Sequence, residues 1–392
     1  MLLVFYSPLS LTFGGGFEHW VLELVPRLQK YGISARIICT KFRAGDVGRI
    51  SVGEIDETMR KAHSEYCELP YIFSLPVGSS PCLKFDGLIR LADAVQNCDV
   101  IYFANAYALH DLLIYFLKRR YQKPVISGQH ATLFSDSTFS NIYSKTIRRT
   151  LLRRFDAIHV LNRFDEEVFR SWGLHRIYRI PIGIDVERFK PHDFEQNNQK
   201  FRVLFVGRLT LQKGVDILCQ CIRTINDYEH LQKYLEFWLV GSGPLQFLVE
   251  KVAKSYTNVK FFERVEDESL PAIYRGCDLF VMPSRRETFG ITALEAQASG
   301  LPVIASNIPG PSDIVIDGVT GSLVQKEFPE AFVSVIKKYY DLWFCEYDKY
   351  REIRVRARKS ALRFAWENVV PQINTMFSSV MAAQSQQRLP KN

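Results

Sequence analysis

At 392 residues, 47% hydrophobic and 23% charged, the chain has the composition of a soluble globular protein and exceeds one ordinary core, so two domains are expected. A formal net charge of +8 suits an anionic ligand, an anionic membrane surface or nucleic acid. No helix-turn-helix signature, RNP motif or zinc finger accompanies it, so nucleic acid is set aside. No apolar run reaches the roughly 18–20 residues that span a bilayer. The eight cysteines are scattered and form no Cys-x-x-Cys pair, which argues for a reducing compartment and against a disulfide framework or zinc site.

The apolar opening, residues 1–13, lacks a basic leading region and runs into Gly14-Gly15-Gly16, so it reads as a strand and loop rather than a signal peptide. An amphipathic helix is expected over residues 18–30. Further strands are expected at residues 2–6, 34–39, 100–103, 125–127 and 157–161, and a second series at 202–206, 236–240, 259–262, 278–282 and 303–305. These runs are almost wholly apolar, as parallel strands buried on both faces are. Helical patterns between them imply right-handed crossovers. The expected architecture is α/β, with two doubly wound Rossmann-like domains facing a central cleft. The first covers residues 1–190, the second 191–365, and residues 366–392 form a last helix with a frayed tail. Residues 191–200 are polar and pattern-free, like a linker, and residues 42–81 carry no readable pattern. In open α/β sheets, ligands bind beyond the carboxyl ends of the strands.

The candidate site residues follow strands. After residues 202–206 comes Val206-Gly207-Arg208-Leu209-Thr210-Leu211-Gln212-Lys213-Gly214, where Arg208 and Lys213 could clamp a diphosphate, one as a planar fork and one as a point charge. Val240-Gly241-Ser242-Gly243-Pro244 is a tight turn after a strand. Glu287 and Glu295 stand eight positions apart around Phe289-Gly290, a turn that opens an apolar helix ending at Gly300-Leu301-Pro302. A helix start offers free N–H groups to a phosphate, here around Gly290, Ile291 and Thr292. One carboxylate then reaches each end of a ligand whose phosphates sit there, which is the layout of a nucleotide sugar. His130 ends a first-domain strand and could hydrogen-bond a hydroxyl. The Gly15-Gly16 loop could close over phosphates, although it is neither G-x-G-x-x-G nor a P-loop. Each feature also has a plainer reading: a solvated turn, a structural glycine loop, a satisfied histidine, two ordinary first-turn glutamates. There is no Asp-x-Asp and no clustered set with metal-ligand spacing, so no metal is expected and protein cations would neutralise a leaving phosphate.

Taken together these motifs resemble the GT-B retaining glycosyltransferases of family 4. The second half carries most of the likeness, through Val206-Gly207-Arg208, Lys213-Gly214, Val240-Gly241-Ser242-Gly243-Pro244, Val265 with Leu270-Pro271 and Tyr274, Phe280-Val281-Met282-Pro283-Ser284, Glu287 to Glu295, Ala298-Ser299-Gly300-Leu301-Pro302 and Asp317-Gly318-Val319-Thr320-Gly321. The first half is similar more loosely, through the glycine loop, His130 and Ile182-Gly183-Ile184-Asp185. Asp313 stands where the family often has Glu.

The resemblance implies an acceptor-side first domain and a second domain that binds the donor, with no cofactor beyond that nucleotide diphosphate sugar (UDP- or GDP-linked). Arg208 and Lys213 would stabilise the leaving diphosphate, Glu287 the sugar hydroxyls and Glu295 the ribose. Backbone groups from Phe289 to Thr292 would hold phosphate and sugar, Val265 would lie along the base, and His130 near the transferred sugar. The implied reaction moves a hexose to an acceptor hydroxyl of a carbohydrate or lipid-linked acceptor with retention. A nucleotide-sugar 2-epimerase shares this architecture and is the alternative. Two basic amphipathic stretches, residues 112–120 and 145–155, suit an anionic membrane surface, or else are core helices with basic ends. The expected location is cytoplasmic, peripheral at the inner face of the membrane.

Overall fold

The computed structural model describes residues 1–13, 15–42, 52–75, 80–104, 108–131, 138–191 and 199–388. The chain divides into two compact units, residues 1–183 with 367–392 and residues 184–366. Gly14 and most of the linker, residues 192–198, lie outside the described residues.

The first unit contains strands β1 (Leu2–Ser7), β2 (Ser34–Thr40), β3 (Glu65–Leu69), β4 (Tyr71–Leu75), β5 (Ser80–Leu83), β6 (Val100–Ala104), β7 (Val125–Gln129), β8 (Ala157–Val160) and β9 (Ile177–Arg179). Seven of them form one parallel sheet in the order β3-β2-β1-β6-β7-β8-β9, while β4 and β5 make a separate antiparallel hairpin. Winding reverses between β1 and β6, as a doubly wound sheet requires. Strands β6, β7 and β8 are buried along their whole length, because helices cover both faces. The helix expected at 18–30 runs over Gly16–Leu28, then tightens into a single 3₁₀ turn, Gln29–Tyr31, closed by Gly32. Gly16 is therefore the first residue of a helix and Gly15 its N-terminal flank. The last helix, Trp366–Arg388, packs Phe377 edge-on against Phe5 and Tyr102 in the first unit's core.

The second unit contains β10 (Phe201–Val206), β11 (Leu235–Val240), β12 (Val259–Phe262), β13 (Leu279–Met282), β14 (Val303–Ser306) and β15 (Gly321–Val324). All are parallel, in the order β12-β11-β10-β13-β14-β15. The reversal here falls between β10 and β13. Residues 184–190 lie with this unit: Ile184 bridges to Ala365, and the Arg358 guanidinium donates to the carbonyls of Val186 (2.8 Å) and Phe189 (3.0 Å). Three strands of the two main sheets, β3, β9 and β15, and the two hairpin strands, β4 and β5, were not among the expected runs: β3 and β9 sit at sheet edges with polar side chains, and β15 opens on a glycine.

Candidate active site

In the second unit, the loops that follow β10 and β13 leave the sheet side by side at the reversal of winding, the place where open α/β sheets bind their ligands. They are cross-linked twice. The Lys213 ammonium pairs with Glu287 Oε2, with both side chains largely buried (20% and 14% exposed). Beside it, the Arg285 guanidinium grips both carboxylate oxygens of Asp216 at 2.7 and 2.8 Å, the carbonyl of Leu211 at 2.7 Å and Glu327 at 3.0 Å. The bidentate bond from Arg285 holds the Asp216 carboxyl below its usual range. Arg208, on the same loop as Lys213, is exposed.

The chain after Glu287 turns at Phe289 and Gly290 into helix Ile291–Ala298. Phe289 differs from a surface turn residue: its ring is buried (2% exposed) and meets Phe364 edge-on, so only its backbone faces the loop. Gly290 adopts φ +101°, and its carbonyl already accepts from the N–H groups of Ala293 and Leu294. Ile291 and Thr292 thus supply the first-turn amides that a helix leaves without an internal partner. Gly310 presses on this turn from the next loop. At φ +90° it would bring a Cβ within 2.8–2.9 Å of Phe289 backbone atoms, so only glycine fits.

Glu295 lies one turn inside the helix. Tyr274, itself fully buried, donates its hydroxyl to Glu295 Oε2 at 2.7 Å. Burial pushes the Glu295 carboxyl up to about 7, against the lowering effect of the Tyr274 bond, while Asp267 raises it and Arg188 lowers it. Val265 stands apart, in the loop after the edge strand β12, two strands from β10.

Gly15, Gly16 and His130 belong to the first unit. There the helix that starts at Gly16 packs Phe17 and Trp20 on the His130 ring, with centroids 5.0 and 4.6 Å away. His130 Nε2 lies 2.7 Å from the Tyr102 hydroxyl, and burial, then the neighbouring His159, holds its imidazole neutral well below the usual histidine range. Tyr274 was quoted only as a motif residue with no chemical role, and Arg285, Asp216, Tyr102 and His159 were not singled out. The last two carried a signal nonetheless, since a hydroxyl and an imidazole inside wholly buried strands need partners. Arg148, in the stretch read either as a membrane-facing surface or as a core helix with basic ends, follows the second reading: it is buried (6% exposed), bonded to Gln129 and 4.0 Å from Asp111. Among the described residues, no group of three or more His, Cys, Asp or Glu side chains is gathered as a metal site.

The geometry meets sequence relationships at this point. The family described as "Glycosyl transferases group 1" matches residues 186–360, and "Glycosyltransferase Family 4" matches residues 14–188. The chain belongs to the family 4 glycosyltransferases. An uncharacterized 41.2 kDa protein in the cps region of Klebsiella pneumoniae is 36% identical over 70% of this chain and 78% of that protein. The D-inositol 3-phosphate glycosyltransferase 1 of Catenulispora acidiphila is 31% identical over 53% of this chain, a match that spans 52% of that protein, about half its length. Among solved structures, Anabaena HepE in complex with UDP superposes with a TM-score of 0.74 at 18% identity, covering 96% of this chain and 99% of that one. This likeness shows that the glycosyltransferase has the GT-B fold.

The close approach at Gly310 generates a prediction for this glycosyltransferase. Gly310→Ala should destabilise it by about 1–3 kcal/mol through backbone strain, before any displacement of Phe289. The check is urea unfolding followed by tryptophan fluorescence. An unchanged midpoint would show that the Phe289 turn is not pinned from this side.

Proposed function

We propose that this glycosyltransferase moves a hexose from a UDP- or GDP-linked sugar to an acceptor hydroxyl, with retention of anomeric configuration. The observation that carries this reading is the Lys213–Glu287 pair beside the helix start at Gly290, one turn from Glu295. A cation, a carboxylate, the first-turn amides of a helix and a second carboxylate one turn on are the groups that a sugar diphosphate would use. The names of the relatives lend support: one similar structure was solved with UDP, and one relative is called an inositol phosphate glycosyltransferase.

In this reading the diphosphate takes the amides of Ile291 and Thr292 with Arg208 and Lys213. Glu287 accepts from the sugar hydroxyls, Glu295 from the ribose, and Val265 lies along the base. In the first unit, Gly15 and Gly16 line the phosphate side and His130 accepts from a sugar hydroxyl. As the glycosidic bond breaks, negative charge grows on the leaving phosphate and positive charge on the sugar. Arg208, Lys213 and the helix start favour that separation without a metal or cofactor. The leaving phosphate takes the acceptor proton on the same face, which gives retention.

Arg208→Ala and Lys213→Ala should each lower kcat by about 10²–10³, the cost of one preorganised charge partner. Both variants turning over near the wild-type rate would discard this role. Binding carries its own pH signature. Ribose hydroxyls donate to a carboxylate, so the donor binds ionised Glu295. With the free carboxyl at about 7, ionisation grows as pH rises from 6 to 8, and donor affinity should grow with it by up to about tenfold. UDP-glucose and GDP-mannose should raise the melting temperature more at pH 8 than at pH 6, and Glu295→Gln should flatten that difference. If neither sugar nucleotide shifts the melting temperature at either pH, the donor reading fails. Conversion of the sugar with no acceptor present would favour the 2-epimerase instead.

A membrane-bound acceptor is favoured by a separate observation. Helices Phe85–Gln96 and Ala108–Tyr121 pack side by side, and Tyr143 ties the following helical segment to Asp111 at 2.7 Å. Their outer faces show Phe85 (78% exposed), Ile89 (54%), Leu112 (46%), Phe116 (64%), Ile142 (57%) and Ile147 (51%). Exposed Arg119, Arg120, Lys145, Arg153 and Arg154 accompany them. Apolar side chains among cations match the surface of an anionic bilayer. No helix among the described residues is long and apolar enough to cross a membrane, so the contact proposed is peripheral, at the cytoplasmic face. Phe116→Asp and Ile147→Asp should each weaken co-sedimentation with phosphatidylglycerol-containing vesicles by about tenfold or more, given roughly 1.5–3 kcal/mol for one large apolar side chain. Unchanged co-sedimentation would remove the membrane reading and leave a soluble acceptor.

A further inference from the structure

A row of polar side chains crosses the first unit's sheet at a level where its neighbours are apolar. His159 on β8 sets Nε2 2.8 Å from the carbonyl of Ile180, beyond β9. His159 Nδ1 lies 2.6 Å from the Tyr102 hydroxyl on β6, and that hydroxyl lies 2.7 Å from His130 Nε2 at the end of β7. Tyr102 reaches across β7 only because residue 128 is glycine: a Cβ there would meet the tyrosine ring, with its Cε1 and Cζ at 2.5 Å. Tyr102 and His159 are wholly buried. The row ends at His130 Nδ1, a buried nitrogen with no hydrogen-bond partner among the described residues.

Proton bookkeeping gives the row one direction. A backbone carbonyl only accepts, so His159 Nε2 carries the hydrogen. Burial holds the His159 imidazole down to about 4, so near neutral pH it has a single N–H and its Nδ1 must accept. The Tyr102 hydroxyl therefore gives its only hydrogen to His159, and its oxygen accepts from His130 Nε2–H. In neutral His130 the lone pair is left on Nδ1.

We infer that Tyr102 and His159 are positioning residues that lock His130 in its Nε2–H tautomer, so that Nδ1 presents a fixed acceptor to a hydroxyl of the bound sugar. This rests on the transferase reading for the nature of the ligand. The locked tautomer selects a neutral O–H donor and disfavours a phosphate or carbonyl oxygen, which would face lone pair to lone pair. It also means that His130 has no proton on that side to give to a leaving group.

The test is long-range ¹H–¹⁵N correlation on the full chain labelled with ¹⁵N-histidine, with His130 and His159 assigned by single substitution. Both should show the Nε2–H pattern between pH 6 and 8 without ligand. Tyr102→Phe should leave His159 on Ile180 unchanged and release His130 into a mixture of tautomers. UDP-glucose or GDP-mannose, whichever raises the melting temperature, should shift the His130 Nδ1 resonance as it accepts a hydrogen bond, and this shift should shrink in Tyr102→Phe. A wild-type His130 that is Nδ1–H or mixed overturns the lock, and that spectrum decides even if the variant does not fold. A sugar nucleotide that stabilises the protein but leaves Nδ1 unmoved overturns the hydroxyl contact while the transferase reading stands. If neither sugar nucleotide binds, the transferase reading falls and takes the hydroxyl contact with it, while the lock is judged on the ligand-free spectrum alone.

Discussion

The second unit's site depends on one contact between residues 74 positions apart, the ion pair of Lys213 and Glu287. A parallel sheet sends every strand's carboxyl end to the same edge, and reversal of the winding leaves two of the loops there without a helix between them. Those loops would be free to splay. Lys213–Glu287 ties them near the helix start, and Arg285–Asp216 ties the same two segments a few residues away, with the charges reversed between the loops. Both pairs are partly buried, so each loop carries a charge whose counter-ion sits on the other. Removing one partner exposes the other to an incomplete environment as well as deleting a charge.

Under the proposed reading, the same pair accounts for how a site for a diphosphate can be stable before a ligand arrives. Under the proposed reading, a diphosphate exchanges with Glu287 as the partner of Lys213. One anion replaces another, so the ammonium never loses a counter-charge. Glu287 is then released at the point where sugar hydroxyls need an acceptor. Glu295 is held differently, by burial and by the Tyr274 hydroxyl, and its carboxyl sits near neutrality. Two glutamates eight positions apart in one motif therefore answer to different physics, one to an ammonium and one to desolvation.

Much of this was legible in the sequence where the signal is local. The strands β1, β6, β7, β10, β11, β13 and β14 stand within a residue or two of their expected bounds, because burial on both faces leaves a nearly unbroken apolar run. β3 and β9 were missed because an edge strand is half solvated: Glu65-Tyr66-Cys67-Glu68-Leu69 and Ile177-Tyr178-Arg179 carry no such run. β15 was missed because Gly321 reads as a turn, whereas its missing Cβ is what lets it lie against the Val303 carbonyl. The Phe289-Gly290 turn into a helix was legible because its logic fits within ten residues. The Lys213–Glu287 contact was not, since each residue was given a separate part of the ligand, and no spacing rule reaches across 74 residues. The stretch 145–155 stayed open between surface and core for the opposite reason: a run of arginines carries no sign of which one points inward, and here Arg148 bonds Gln129.

The first unit shows how a buried sheet tolerates polar groups, and at what point it leaves one unsatisfied. Tyr102 and His159 would each be costly alone among apolar neighbours, yet each spends its hydrogen on the next group in the row. A chain of single donors anchored on a carbonyl cannot close on itself, so one acceptor must remain at its far end. Here that acceptor is His130 Nδ1, beneath Trp20 and Phe17 at the start of a helix. Only protonation of His159 would reverse the row, and burial pushes that event down to about 4. The polarity of a side chain at the sheet's edge is thus decided by a backbone carbonyl on the other side of β8, through bonds that the apolar core keeps dry.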